Sequence, residues 1–259
     1  MKRNPITRYR LYVVGFYLLL IAAWQLVFGL KLIPEYLFPA PADVAKRLLE
    51  LGVDGMLWPS VKATLFRMAV GFAISAAIGL VVGLFMGTSR VANLCLKSLF
   101  LGLQTLPTAA WVPIALLFFG LSERGIYFVI IMSSMAAVAI ATSDGILHIP
   151  PMYLRAARTL GTPGYAIPSH VILPAALPSI VTGIKLGWTL GWHGAVSAEL
   201  IKSSVGLGYL LYMGRELNDA AQVLGIMVLT ILFGLLLDWF LFGIIERRVR
   251  IRWGLERPG

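Results

Sequence analysis

The chain has 259 residues, of which 59% are hydrophobic and 13% are charged, and its mean hydropathy is +0.84. This composition is far more apolar than that of an ordinary soluble domain, so it excludes that class and indicates a membrane protein. The net charge of +10 does not indicate a nucleic-acid partner, because the basic residues lie at the edges of apolar runs rather than in a stripe with interleaved aromatic side chains.

Six apolar runs approach or exceed the length of about 20 residues that a helix needs to cross a bilayer. They cover residues 11–30, 68–89, 98–122, 125–143, 171–198 and 220–245. We therefore predict an all-α, polytopic membrane protein with six transmembrane helices in a single domain, 1–259. The first run also fits a signal peptide, but its length and the lack of an A-x-A site after it favour a retained helix.

The distribution of positive charge predicts the orientation in the membrane. With both termini in the cytoplasm, thirteen of the 22 lysines and arginines fall on cytoplasmic segments and eight, Arg67 among them, on outer segments. Such an excess is typical of cytoplasmic loops. We expect the N- and C-termini to be cytoplasmic.

Two features precede the third run. Asp43 can cap a short amphipathic helix that carries Val44, Leu48, Leu49 and Leu51 on one side, and we expect this helix to lie on the outer membrane surface. The second run has a small residue at every fourth position: Gly71, Ser75, Gly79, Gly83 and Gly87. This spacing favours a helix-packing face over a substrate path.

The third run contains polar residues and prolines at membrane depth. Pro107 and Pro113 each remove a backbone donor and free carbonyl groups that lipid cannot satisfy. The neighbouring polar side chains are Gln104, Thr105 and Thr108. Either these side chains line a cavity on the translocation pathway, or the prolines form a structural kink in which Gln104 bonds a neighbour.

The segment of about 148–174, between the fourth and fifth runs, carries the most specific motif. Prolines at its start and Gly161 at its end predict a short helix over 151–160. Arg155-Ala156-Ala157, Gly161 and Val171-Ile172-Leu173-Pro174 have the spacing E-A-A-x3-G-x9-I-x-L-P. This pattern resembles the EAA loop of binding-protein-dependent ABC importer permeases, with Arg155 in place of the usual Glu and Val171 in place of Ile. The alternative is an ordinary inter-helix loop.

The resemblance to this family implies a type I importer permease fold in a prokaryotic inner membrane. It implies that the loop forms a coupling helix that docks on an ATPase, through Arg155, Ala156, Ala157, Arg158 and Gly161. It also implies two ATPase subunits that bind ATP and Mg, a second permease copy in a homodimer, and an external substrate-binding protein. No cofactor is expected on this chain.

Further residues resemble the nitrate, sulfonate and taurine branch of that family. They are Leu106-Pro107, Gly206-Leu207-Gly208-Tyr209 and the outer amphipathic segment. The resemblance implies a small, anionic solute, with bicarbonate a further possibility.

The fifth run carries the polar face that we assign to the translocation pathway. Lys185, Trp188, Trp192 and Glu199 fall within an arc of about 60° on a helix, and His193 lies beside them. A lysine with tryptophan edges suits a small anion. The alternative is that Lys185 extends to the cytoplasmic surface and the tryptophans pack between helices. We expect Asp238, in the sixth run, to make an interfacial or helix-pairing contact.

Catalysis is disfavoured by the residues that the chain contains. It has no Gly-Lys dipeptide, so it has no P-loop, and its histidines, at 148, 170 and 193, show no metal-ligand spacing. We predict no catalytic and no metal site. A stand-alone, ion-coupled secondary transporter is the alternative class, although the sequence shows no convincing internal repeat.

Overall fold

The computed structural model describes residues 5–202 and 205–253, and helices dominate this part of the chain. Eleven α-helices occur in these ranges. They are α1 (Pro5–Gly29), α2 (Pro41–Val53), α3 (Leu57–Thr88), α4 (Arg90–Gln104), α5 (Trp111–Phe119), α6 (Glu123–Leu147), α7 (Pro151–Thr159), α8 (Leu173–Lys202), α9 (Leu207–Glu216), α10 (Ala220–Leu237) and α11 (Ile244–Arg252). Short π-helical segments, Pro168–Ile172 and Asp238–Gly243, lead into α8 and α11.

Five of the six predicted membrane spans are single helical stretches long and apolar enough to cross a bilayer. Within the described residues these are Tyr12–Gly29, Leu57–Thr88, Glu123–Leu147, Gly164–Ile201 and Ala220–Glu246. The second begins eleven residues earlier than predicted, at Leu57, so Arg67 lies inside α3 rather than in an outer loop. The last eleven residues of the segment predicted to lie outside, 57–67, are thus helical, and the membrane side on which Arg67 lies stays a prediction.

The third predicted span is not one straight helix. Arg90–Gln104 and Thr108–Phe119 meet at an angle of 96°, and together they form a sixth span only if the bent pair is counted as one. The break lies at Pro107, which lacks the backbone donor that a continuous helix requires there. The predicted single helix over 98–122 is corrected to two helices joined at this proline.

Helix α6 lies at the centre of the bundle, between α3 and α8. The small-residue face of α3 packs directly on it: a Cβ added at Gly83 would lie 2.6 Å from the Ala139 carbonyl oxygen, and one at Gly79 would lie 2.8 Å from the Val138 Cβ. Because helices in lipid associate through packing, these glycines allow the close approach on which the contact depends. The predicted packing face is confirmed.

Helix α2 packs on the end of α10. Its Val44 and Leu51 are buried, and Leu48 lies against Gly225. Arg47 donates hydrogen bonds to Asp219 (2.6 Å) and to Gln222 (3.0 Å), which fastens the two helices. Burial disfavours the charged guanidinium, but hydrogen bonds to Glu50 and Asp219 outweigh that effect and hold the pKa of Arg47 above its ordinary value. The predicted amphipathic helix is confirmed, and Asp43 caps it from the first turn by accepting a hydrogen bond from the Ala40 amide (3.3 Å). Its location on the outer membrane surface stays a prediction.

Candidate functional site

A groove of about 660 Å³ runs between α8 and α10 and ends at the π-helical segment. Four of the residues assigned to the translocation pathway line it: Lys185, Trp188, Trp192 and His193. Asp238 closes one end, and Thr189, Ser197 and Thr230 add hydroxyl groups to the wall. Apart from Glu199, the helical face predicted from the sequence therefore lines one cavity along two membrane-spanning segments.

Two carboxylates hold Lys185: Asp238 lines the groove with it, whereas Glu246 lies outside the groove. Its Nζ lies 3.3 Å from Asp238 Oδ2 and 3.4 Å from Glu246 Oε2. These ion pairs join α8 to the last spanning segment, so Asp238 makes a helix-pairing contact. Both carboxylates lie within ion-pair distance of the ammonium group, so Lys185 is not free to bind an anionic solute in this conformation.

The tryptophans build the apolar wall of the groove. Trp188 packs edge-on against Phe72, with ring centroids 5.2 Å apart, and lies 6.0 Å from the ring of Phe242. Among the described residues, the indole Nε1 of Trp188 and Asp238 Oδ1 are buried and have no hydrogen-bond partner. Buried polar atoms usually have a hydrogen-bond partner, so this donor and this acceptor are polar groups that the described side chains of the groove leave open.

Glu199, on the same predicted face, does not line the groove. Its side chain is 0% exposed, and it accepts hydrogen bonds from Thr64 Oγ1 (2.7 Å), Arg67 Nη1 (2.8 Å) and the Gly208 amide (3.0 Å). Helical periodicity places Glu199 on the same angular face as Lys185. At its position along α8, however, α3 and α9 close over that face, which periodicity cannot reveal.

Arg67 is the partner that sequence reasoning missed. Besides Glu199, it bonds Glu123 at the start of α6 (2.7 Å) and the Val205 carbonyl (2.6 Å). A buried charge requires such partners. The Gly206-Leu207-Gly208 turn completes the cluster: Gly206 has φ +152°, and a Cβ there would lie 2.5 Å from the Glu199 carboxylate. This charged cluster of Arg67, Glu199 and Glu123 joins α3, α6, α8 and α9.

The second predicted site, helix α7, lies between two spans. It begins at Pro151 and ends at Thr159, and Gly161 turns the chain with φ +77°, as predicted. Of the coupling residues, Ala157 is buried, whereas Arg155, Ala156, Arg158 and Gly161 are exposed. The helix therefore rests on the rest of the protein through one side and exposes the other.

Comparison with known proteins decides what kind of protein carries this groove and this exposed helix. Residues 75–251 match the family described as the binding-protein-dependent transport system inner membrane component. The chain belongs to this family. It is a multi-pass inner-membrane permease subunit of an ABC transporter.

Two curated permeases cover most of its length. The putative aliphatic sulfonates transport permease protein SsuC of Bacillus subtilis (strain 168) is 32% identical over 234 residues, which is 90% of this chain and 84% of the relative. The taurine transport system permease protein TauC of Escherichia coli (strain K12) is 31% identical over 240 residues, 90% of this chain and 87% of the relative.

A solved structure supports the fold of the permease. An inward-facing MetNI methionine ABC transporter aligns with a TM-score of 0.59 and 20% identity, covering 74% of this chain and 97% of that one. At this identity the likeness concerns the fold alone, and it confirms the type I importer permease architecture.

The remaining predicted pathway residues of the permease lie apart from the groove. Gln104 and Thr108 line a separate cavity of about 30 Å³ with Trp111 and Ser133, beside the α4–α5 break. Thr105 is exposed, and its hydroxyl donates to the Gly102 carbonyl (2.7 Å). The structure thus brings Gln104 and Thr108 together but does not join them to Lys185.

Proposed function

We propose that this permease moves a small solute with a sulfonate or related oxyanion group inward across the membrane by alternating access. The observation that carries the proposal is the groove of about 660 Å³ between α8 and α10, lined by Lys185, His193 and Asp238 within spanning segments. Ionisable groups at membrane depth are costly and usually face a water-filled cavity or a partner. The solutes named for the two relatives set the substrate class, and nitrate and bicarbonate belong to the branch that the sequence resembles.

The partners follow from the family and from what this chain lacks. Without a Gly-Lys dipeptide the chain has no P-loop, so two ATPase subunits bind ATP and Mg and supply the energy. A second permease copy forms the other wall of the pathway, and an external binding protein delivers the solute. Both termini of the chain face the cytoplasm, and α7 is the coupling helix that receives the motion of the ATPases.

The ion pairs of Lys185 have to break during the transport cycle before the lysine can bind a solute. In the present conformation the carboxylates of Asp238 and Glu246 bind the ammonium group, so it is not free to bind an anion. We expect separation of α8 from the last spanning segment to release Lys185 for the solute. The orphan indole N–H of Trp188 then becomes a second donor for an oxyanion.

Reconstituted liposomes test the proposal. Uptake of a radiolabelled sulfonate or taurine should require the permease, both ATPase subunits, the binding protein and ATP together. Omission of any one component should abolish uptake. Robust uptake by this chain alone, driven by a proton or sodium gradient, would instead identify a secondary transporter.

A further inference from the structure

The surface of α7 is unusual for its charge and its exposure. The segment between the spans that end at Leu147 and restart at Gly164 presents Leu160 with 85% and Met152 with 66% of their surface exposed. Met152, Ala156 and Leu160 recur at intervals of four residues and therefore share one side of the helix. An apolar strip that lies outside the spans marks an interaction surface.

Two arginines border this strip without an opposing charge. Arg155 and Arg158 are exposed, and neither forms an ion pair with any residue that the structure describes. The sequence has no Asp or Glu between Asp144 and Glu199. Asp144 is engaged by Lys97 (2.5 Å), and Glu246 by Lys185. The charged groups that α7 exposes are therefore all positive.

Arg155 lies on the side of α7 that faces away from the rest of the protein, where a docking partner would make contact. Ala157 is the buried residue of α7 and marks the side that faces the rest of the protein. Arg155 precedes it by two positions, which is about 200° around an α-helix, so it points nearly opposite to the buried side. The small side chain of Ala156, next to it, permits close approach.

We infer that α7 of this permease docks on an acidic surface of its ATPase subunit, with an Asp or Glu of that subunit opposite Arg155. The inference rests on the proposed function, which makes α7 the coupling helix. A cation enclosed in an interface without a counter-charge is strongly unfavourable, and like charges placed together cost more. Since α7 brings its own positive charge and no acid, the partner supplies the negative one.

Binding of the ATPase subunit of the same transporter to the permease in nanodiscs tests the inference. Discs of phosphatidylcholine alone and discs with added phosphatidylglycerol separate protein contacts from lipid contacts. Arg155→Glu should weaken binding at least about tenfold in both discs, since it places like charges together, and Arg155→Lys should retain most of the affinity. Replacement of the opposing acid of the ATPase by Lys should restore binding to Arg155→Glu.

Arg90→Glu is the matched control. Arg90 is also exposed, and it lies at the same end of the bundle, since nearby Gly87 packs on Ile146; its reversal should leave binding unchanged. Undiminished or tighter binding by Arg155→Glu would overturn the inference, as would a loss seen only with phosphatidylglycerol. A parent permease that binds no ATPase in either disc would contradict the proposed function itself, and the inference with it.

Discussion

Arg67 and Glu199 show how a single pair of side chains organises one end of the bundle. Their side chains are 8% and 0% exposed, and Nη1 of Arg67 lies 2.8 Å from Oε1 of Glu199. The sequence shows both charges but not that residues 132 positions apart meet, because nothing local encodes a contact between α3 and α8. Lys185 and Asp238 were likewise visible as charges within apolar runs, and only the structure pairs them.

The buried pair predicts a large loss of stability when one partner is removed. Glu199→Ala removes the buried one of the two carboxylates that neutralise Arg67. It should lower the free energy of unfolding by about 3 kcal/mol. Glu123→Gln removes a partner whose side chain is 57% exposed, so it should cost about 1 kcal/mol or less. Denaturant unfolding in detergent micelles measures both. Equal, small losses would mean that the cluster is not the anchor described above.

The geometry of the groove predicts that Asp238 keeps Lys185 from binding the solute. Asp238→Asn weakens the pairing of the ammonium group, so the sulfonate concentration for half-maximal ATP-driven uptake should fall, by about threefold if the released interaction resembles a partly exposed ion pair. Asp144→Asn, which disturbs the Lys97 pair outside the groove, is the control and should leave that concentration unchanged. A rise with Asp238→Asn would show that the carboxylate itself assists the solute.

At the scale of helices, the contact between α3 and α6 depends on small residues at regular intervals. This contact was predictable, because the four-residue spacing of glycines is written in the sequence and has few other uses in lipid. The break between α4 and α5 was visible as Pro107, but its 96° angle was not. A proline removes a hydrogen bond, whereas the surrounding packing sets how far the chain turns.

Replacement of glycine by alanine should have opposite effects on stability at a packed position of α3 and at an open position of α4. Gly83→Ala places a Cβ 2.6 Å from the Ala139 carbonyl oxygen, so it should lower the free energy of unfolding by about 2 kcal/mol through overpacking. Gly102→Ala lies in α4 with no atom within 4 Å of the new Cβ and should raise it by up to about 1 kcal/mol. Thermal unfolding compares the two. A neutral Gly83→Ala would contradict the close approach of α3 and α6.

For the whole molecule, composition and the EAA-like spacing were enough to predict the class of protein and five of its spans. They were enough because bilayer thickness fixes helix length and because the family pattern extends over twenty residues. The candidate site was predicted in part: one helical face gave Lys185, Trp188, Trp192 and His193, whereas the sixth apolar run gave only Asp238. Thr230 and Gly234, on the α10 wall, are uncharged residues of a kind common in membrane-spanning helices, so they carry no signal of a pathway.

If the groove between α8 and α10 is the translocation pathway, binding of ATP to the partner subunits should change its access to water. Cysteine accessibility tests this most directly: His193→Cys in a Cys95→Ser background, since Cys95 is itself exposed, in the complex with the ATPase subunits. The new thiol should react with a small water-soluble reagent at rates that differ between the nucleotide-free and the ATP-trapped complex. Ser134→Cys, at a fully buried position between α3 and α6, should stay unreactive in both. If position 193 is protected equally in every nucleotide state, the groove is a packed interface and the account is contradicted.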